Sequence, residues 1–231
     1  MFFADKVIMV EGITEKMLLP LMINKVAPEL NKKYISILEV GGAYTHKFKE
    51  LLNFIKVKTL VITDIDSVQL DNNRKACRVN TPNSVTSNST LKNWIPKKDT
   101  IVDLISTRVE EKFDGKFIRV CYQIAENTEN QYTARSLEEA IINRNLIFFK
   151  SKYNDLNEEN TVIEIQVKSK FELLKNINFE ETLDLYNLSP QKGEKSQFAF
   201  DLMTFKAGIE DLSWDVPKYI GEGLEWLEKD K

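Results

Sequence analysis

Histidine and cysteine are almost absent from this 231-residue chain: His46 is its one histidine, and Cys77 and Cys121 are its two cysteines. That scarcity excludes a disulfide framework and every zinc box built on Cys or His spacing, so any bound metal would be held by oxygen. Long apolar runs are missing too. No stretch approaches the ~20 residues of a membrane helix, and the N-terminal MFFADKVIMVEG has no basic segment leading into an apolar one. The expected location is therefore cytoplasmic, with no membrane partner. Positive charge is not in surplus either, since the formal net charge is -3. Polyanion binding by bulk electrostatics would show as a basic excess. The 32 lysines and arginines still allow a local basic face if the acids gather elsewhere. There is no internal repeat and no low-complexity tract.

What is present is the composition of a globular protein, 42% hydrophobic and 29% charged, long enough for one large domain or one domain with a helical appendage. KVIMV (6–10), YISILEV (34–40) and TLVITDID (59–66) are nearly continuous apolar runs that predict strands. TEKMLLPLMINKVA (14–27), with Thr14 as its expected N-cap and Pro20 as an expected kink or restart, and KFKELLNFIK (47–56) predict the intervening helices. Strands of this kind alternating with helices predict a parallel sheet covered on both faces, whose functional groups collect at the carboxyl ends of the strands. The polar stretch 71–93 predicts a long loop. Beyond it come a helix near 99–112, a fourth strand at FIRVCYQIA (117–125) and an amphipathic helix at RSLEEAIINRNLIFF (135–149). Residues 150–160 predict a charged linker, and the remainder is mostly helical. The expected division is a core over 1–150, interrupted at 71–93, and a helical extension over 151–231 packed on it.

Three acidic stretches fall at the predicted strand ends. In LVITDIDS, Asp64 and Asp66 would share a face if the chain stays extended, and two carboxylates so close repel unless a cation lies between them. In VEGITE, Glu11 closes the first strand, Gly12 allows a tight turn, and Glu15 lies where a helix dipole favours a carboxylate. In RSLEEAI, Ser136 and Glu139 form an expected capping box, which leaves Glu138 without a structural duty. Neighbouring parallel strands lie about 5 Å apart, so Glu11 and the aspartates can face one site, and carboxylates gathered there suit hard divalent cations. Asp66 also has a plainer explanation as a loop cap, Glu15 as an acid favoured by the helix dipole and Glu138 as an ordinary residue of a helix start, but Glu11 has none.

VEGITE followed by VITDIDS resembles a Toprim domain, the catalytic module of topoisomerases, bacterial primases and several nucleases. MVEGITEKMLLPLM, TSNSTLKNWIP (86–96), ARSLEEAI (134–141), KSQFAFDL (195–202) and VPKYIGEGLEWLEK narrow the resemblance to the overcoming-lysogenization-defect (OLD) family of nucleases, across nearly the whole chain. The resemblance implies a Rossmann-like α/β Toprim sheet and metal-dependent cleavage of DNA. It makes Glu11, Glu15, Asp64, Asp66 and Glu138 metal ligands, for two Mg2+ ions or Mn2+ in their place. It makes Lys195 a stabiliser of charge on the cleaved phosphate. Lys192, Lys206 and Arg135 are weaker candidates for touching phosphate. No separate tyrosine-bearing domain is evident, so hydrolysis by metal-activated water is expected rather than a covalent intermediate. OLD proteins carry an ABC-type ATPase before the Toprim region, and no G-x-x-x-x-G-K-[ST] loop occurs here. A C-terminal piece of a longer nuclease is therefore expected, with a helicase as a partner, self-association through the ATPase, and phage defence as the setting.

Two other readings compete on the residues alone. A strand ending in DxD also resembles phosphatases with an aspartyl nucleophile, which would leave VEGITE without a role. A non-catalytic module that docks DNA or protein would use its acids only as caps. His46 and the TSN at 86–88 are locally undecided.

Overall fold

The computed structural model describes residues 1–41, 44–126, 131–146, 149, 185–190, 193–204 and 214–229. In chain order the elements are β1 (Lys6–Val10), α1 (Ile13–Val26), β2 (Ile35–Glu39), α2 (Lys49–Ile55) and β3 (Lys58–Ile62). Then come three short strands, β4 (Ser67–Gln69), β5 (Lys75–Ala76) and β6 (Ser84–Thr86), and two short helices, α3 (Ser89–Asn93) and α4 (Ile101–Ile105). A hairpin of β7 (Phe113–Asp114) and β8 (Ile118–Cys121) leads to α5 (Leu137–Arg144), and α6 (Leu185–Leu188), α7 (Lys195–Thr204) and α8 (Lys218–Glu228) follow.

The main sheet has the order β2-β1-β3-β8-β7. Its first four strands are parallel and only the edge strand β7 runs the other way. Alternation explains why the strands are apolar throughout. Ile8, Val10, Leu60 and Ile62 pack with α1, α5, α7 and α8 on one face, while Val7, Met9, Val61 and Val120 pack with Leu52, Leu91 and Leu104 on the other. Val7, Ile8, Met9 and Val10 are fully buried. At about 1.5–3 kcal/mol each, they make this short strand a leading contributor to the core. Described residues of the C-terminal part, Phe198, Leu202, Leu224 and Leu227, belong to the same cluster as β1 and β3.

Helix α8 lies close against β3 and β8. A Cβ at Gly223 would stand 2.9 Å from Leu60 Cδ1 and 3.2 Å from Cys121 Sγ, so the glycine is there for close approach. At the far end of the helix the Lys58 ammonium donates to Trp226 O (2.5 Å) and Lys229 O (2.6 Å), satisfying carbonyls that the last turn leaves unpaired.

Several local expectations change. The N-cap of α1 is Gly12 rather than Thr14, because the Glu15 carboxylate reaches back to the Gly12 amide (3.2 Å) and starts the helix earlier. The helix continues past Pro20 to Val26. The stretch 71–93 is no simple loop: β4, β5 and β6 form a second, antiparallel sheet in the order β5-β4-β6, and Asn88 caps α3 by accepting from Thr90 N and Leu91 N. At Ser136 the expected capping box is half made. Ser136 Oγ accepts from Glu139 N, but the Glu139 carboxylate turns to Arg135 N (3.2 Å) and to the Tyr132 hydroxyl. Both cysteines are free and buried. Among the described residues no helix is long and apolar enough to cross a membrane. Gly42, Lys192, Lys206, the linker 150–160, the helix expected at EIQVKSKFELLKNI and the KAGIE segment lie outside the described residues.

Candidate metal centre

The carboxyl end of the sheet gathers the acids. Glu11 is the first residue after β1, and Thr63-Asp64-Ile65-Asp66 follows β3, which is its neighbour. Glu11 Oε1 accepts from the Thr63 hydroxyl, from Asn88 Nδ2 (2.7 Å) and from Asp64 N (3.4 Å). Asn88 Nδ2 also contacts Thr63 Oγ1 (2.6 Å) and Asp64 O (2.8 Å), so one amide ties three residues of two strand ends together. Asp64 is buried, and its Oδ1 accepts from Gln123 Nε2 (2.5 Å). Gln123 is held in turn by Ile65 N, which donates to Oε1 (2.8 Å), and by Tyr219 OH of α8 (3.2 Å).

Asp64 and Asp66 do not share an extended face as their i, i+2 spacing predicts. The strand ends at Ile62, and Asp66 takes a left-handed conformation at φ 50°, which turns it out of line with Asp64. Its carboxylate meets the Arg135 guanidinium at 3.2 Å, and Arg135 Nε also donates to Ser67 O (3.1 Å). Arg135 is thus engaged with an acid of the site. On α5, Ser136 as N-cap places Glu138 in the first turn, where it is almost fully buried and accepts from Lys195 Nζ at 2.8 Å. Lys195 opens α7 with its side chain 40% exposed. His46 lies in the 3-10 turn before α2 and donates its backbone amide to Thr90 Oγ1 (3.3 Å).

The electrostatics show that these groups share one field. Burial, with Asp66 and Glu15 adding repulsion, pushes the Glu11 carboxyl up to about 7 against the Thr63 and Asn88 hydrogen bonds. Burial raises Asp64 well above the usual carboxylate range, and Glu11, Glu15 and Asp66 raise it further while Lys195 opposes them. Glu15 is raised by burial and by Glu138, against the Gly12 amide and Lys195. For Lys195 burial disfavours the ammonium, but Glu138, Asp64 and Glu15 outweigh it and the pKa rises. A chain of pairwise influences therefore links the six groups: Asp66 acts on Glu11 and Asp64, and Glu138 on Glu15 and Lys195.

Residues 2–66 match the family model for the overcoming lysogenization defect protein-like TOPRIM domain. Over those residues the chain is similar to an OLD-like Toprim domain. Endonuclease GajA of Bacillus cereus (strain HuB5-5) is 31% identical over 239 residues, an alignment that takes in 99% of this chain and 32% of GajA. The chain thus spans about a third of that relative's length. The C-terminal region of the Burkholderia pseudomallei OLD protein shares the fold, with a TM-score of 0.50 at 20% identity over 97% of both chains.

The segment that matches the family model carries Glu11, Glu15, Asp64 and Asp66, while Glu138, Lys195, Asn88 and Gln123 reach the same place from later elements. Thr63, Asn88, Gln123 and Tyr219 escape a search for acids because they are neutral. Thr63 sits inside VITDIDS, Gln123 lies two residues beyond β8 at the same end of the sheet, and Asn88 has the N-cap signature before LKNWIP. Tyr219 has no local signal. Among the described residues no three His, Cys, Asp or Glu side chains stand in a metal-holding arrangement. The acids share a field rather than a coordination sphere, and Lys195 and Arg135 serve two of them as counter-ions. The donor chemistry nonetheless fits hard cations: five carboxylates face one region, and at least three of them are destabilised as anions there.

Proposed function

We propose that this domain is a metal-dependent DNA endonuclease that nicks or cuts by hydrolysis, with Mg2+ or Mn2+ held by Glu11, Glu15, Asp64, Asp66 and Glu138. The observation that carries this reading is the mutual electrostatic influence of five carboxylates and one lysine at the end of the sheet. Buried acids that raise one another's pKa are unfavourable without a cation, and such clusters mark functional sites. GajA, which is named an endonuclease, supports the choice of reaction. A phosphatase built on the DxD pair alone would give Glu11 no part, although Glu11 and Asp64 share a hydrogen-bond network through Thr63 and Asn88.

Divalent cations, once bound as a pair, supply a water of lowered pKa and stabilise the leaving oxygen. The chain's own groups do the rest. Glu11 and Asp64 are held by neutral donors, so no counter-ion on those oxygens offsets the charge that they bring to ligation once ionised. Lys195, ionised and partly exposed, places its ammonium between Glu138 and the solvent side, where it neutralises charge growing on a phosphate. Arg135 orders the turn at Asp66 through Ser67 O. The other two thirds of a relative such as GajA leave room for the ABC-type ATPase that regulates cutting, for self-association through it, and for a helicase partner in cytoplasmic phage defence.

The test is nicking of supercoiled plasmid with Mg2+ or Mn2+, comparing wild type, Asp64→Asn and an EDTA control. Metal-dependent nicking lost in Asp64→Asn supports the reading. If neither this chain nor a longer protein that includes the ATPase cuts, the reading is wrong.

A further inference from the structure

Glu11 and Asp64 are treated alike by the protein, and by residues of an unexpected kind. Each has one carboxylate oxygen held by a side-chain amide: Glu11 Oε1 by Asn88 at 2.7 Å, and Asp64 Oδ1 by Gln123 at 2.5 Å. Among the described residues no hydrogen bond reaches Glu11 Oε2 or Asp64 Oδ2. In both cases the orientation of the amide is fixed by backbone. Asn88 Oδ1 accepts from Thr90 N (3.0 Å) and Leu91 N (3.4 Å), which aims its Nδ2 at Glu11. Gln123 Oε1 accepts from Ile65 N (2.8 Å), which aims its Nε2 at Asp64. The O and N ends cannot be exchanged without setting carbonyl oxygen against carboxylate and losing those backbone bonds.

Neutrality matters here. A lysine or arginine would hold the same oxygens but offset part of the charge that attracts a cation, as Lys195 does at one oxygen of Glu138 and Arg135 at one oxygen of Asp66. An amide fixes the rotamer and leaves the anion intact. Both amides are buried, which strengthens each hydrogen bond and makes either residue costly unless it has a purpose. They also come from parts of the chain outside the family-model match. Asn88 joins β6 of the small second sheet to α3, and Gln123 is backed by Tyr219 of α8.

We propose that Asn88 and Gln123 are positioning residues that clamp one oxygen of Glu11 and of Asp64, leaving the other oxygen of each for a divalent cation. This rests on the metal-dependent reading above. It assigns a purpose to the second sheet, which seats Asn88, and to α8, which seats Gln123 through Tyr219. Partners of metal ligands are typically worth ~10–100-fold in metal affinity.

The test is Mn2+ binding to the full 231-residue chain by isothermal titration calorimetry at pH 8. The metal-free Tm and far-UV spectrum are recorded beside it. Asn88→Ser keeps an N-cap for α3 but withdraws the amide donor, and Gln123→Met keeps the length without a donor. The expected result is a Kd for Mn2+ raised ~10–100-fold in each variant that retains the wild-type far-UV spectrum. The two clamps lie on different elements, so loss of fold in one variant leaves the other to decide. Variants that fold and bind Mn2+ within about twofold of wild type overturn the clamp while leaving the metal site standing. Absence of Mn2+ binding in the wild type itself overturns both.

Discussion

Replacing Glu11 by glutamine should make the metal-free protein more stable and the metal-loaded protein less so. The Glu11 carboxyl titrates at about 7 in the folded chain against an ordinary 4.5. A folded-state pKa raised in this way means that the folded protein binds the proton more tightly than the unfolded chain. The associated stability is fully present below 4.5 and is lost as pH rises through about 7. At 1.36 kcal/mol per unit the full loss is about 3 kcal/mol, reached near pH 8. Glutamine carries no charge to desolvate, and its Oε1 still accepts from Thr63 and Asn88, so most of that loss should be recovered. Discounting for altered packing, Glu11→Gln should gain about 1–3 kcal/mol at pH 8 without metal. For a chain of this size that is roughly 2–10 °C in Tm.

Differential scanning fluorimetry in EDTA at pH 5 and pH 8 measures this directly. Glu126 is also pushed up to about 7, by burial, but it is present in both proteins and cancels in their difference. The gain from Glu11→Gln should therefore be small at pH 5 and large at pH 8. Adding Mn2+ should reverse the order, since a cation at 100 times its Kd stabilises the wild type by about 2.7 kcal/mol. A variant no more stable than wild type at pH 8 in EDTA, or a gain equal at both pH values, would refute the argument that Glu11 is a strained anion.

Two other substitutions separate catalysis from packing. Lys195→Met leaves the buried Glu138 without its 2.8 Å partner. Because the lysine itself is partly exposed, the cost should be about 1–3 kcal/mol, less than for a fully buried pair. Urea denaturation should show that loss, and nicking should disappear while Mn2+ binding persists. Gly223→Ala drives a Cβ to 2.9 Å from Leu60 Cδ1, beneath a helix that also carries Tyr219. It should lower the urea midpoint by an amount worth about 1–2 kcal/mol with little change in m.

Apolar runs with alternating burial are strong signals, and they made the parallel sheet and the position of its acidic end legible from the chain alone. Glu11 and Glu138 announced themselves as acids with no structural duty, and Asp64 and Asp66 as a pair of acids at a strand end. The geometry among them was not legible. Asp66 adopts φ 50° because Ser87 N and Arg135 bind the turn from residues 21 and 69 positions away, which no local pattern contains. The second sheet hid in 71–93 because its strands are two or three residues long and polar at their tips. Thr14 lost the cap to Gly12 because the Glu15 carboxylate reaches back from inside the helix to accept from the Gly12 amide. Asn88 and Gln123 went unseen as parts of the site for a related reason: a neutral amide has many uses, and only its partners reveal which one applies.

The same charges bear on how an acidic chain would approach DNA. Counted as fully ionised and set against Lys195 and Arg135, the five carboxylates carry three formal negative charges, equal to the formal net charge of -3 of the whole chain. The rest of the protein is then formally balanced, and on the proposed reading its repulsion for phosphate is concentrated at the carboxylates. Two divalent cations would turn that local charge positive. Metal should then be required for DNA binding as well as for cleavage, and Ca2+, a hard cation of the same charge, should support binding. Fluorescence anisotropy of a labelled duplex at low salt would measure this. Affinity should rise at least tenfold between EDTA and millimolar Ca2+, and Asp64→Asn should blunt the rise. Equal binding in EDTA and Ca2+ would mean that DNA is held by a basic surface away from the carboxylates, and the site's charge would then have no part in recognition.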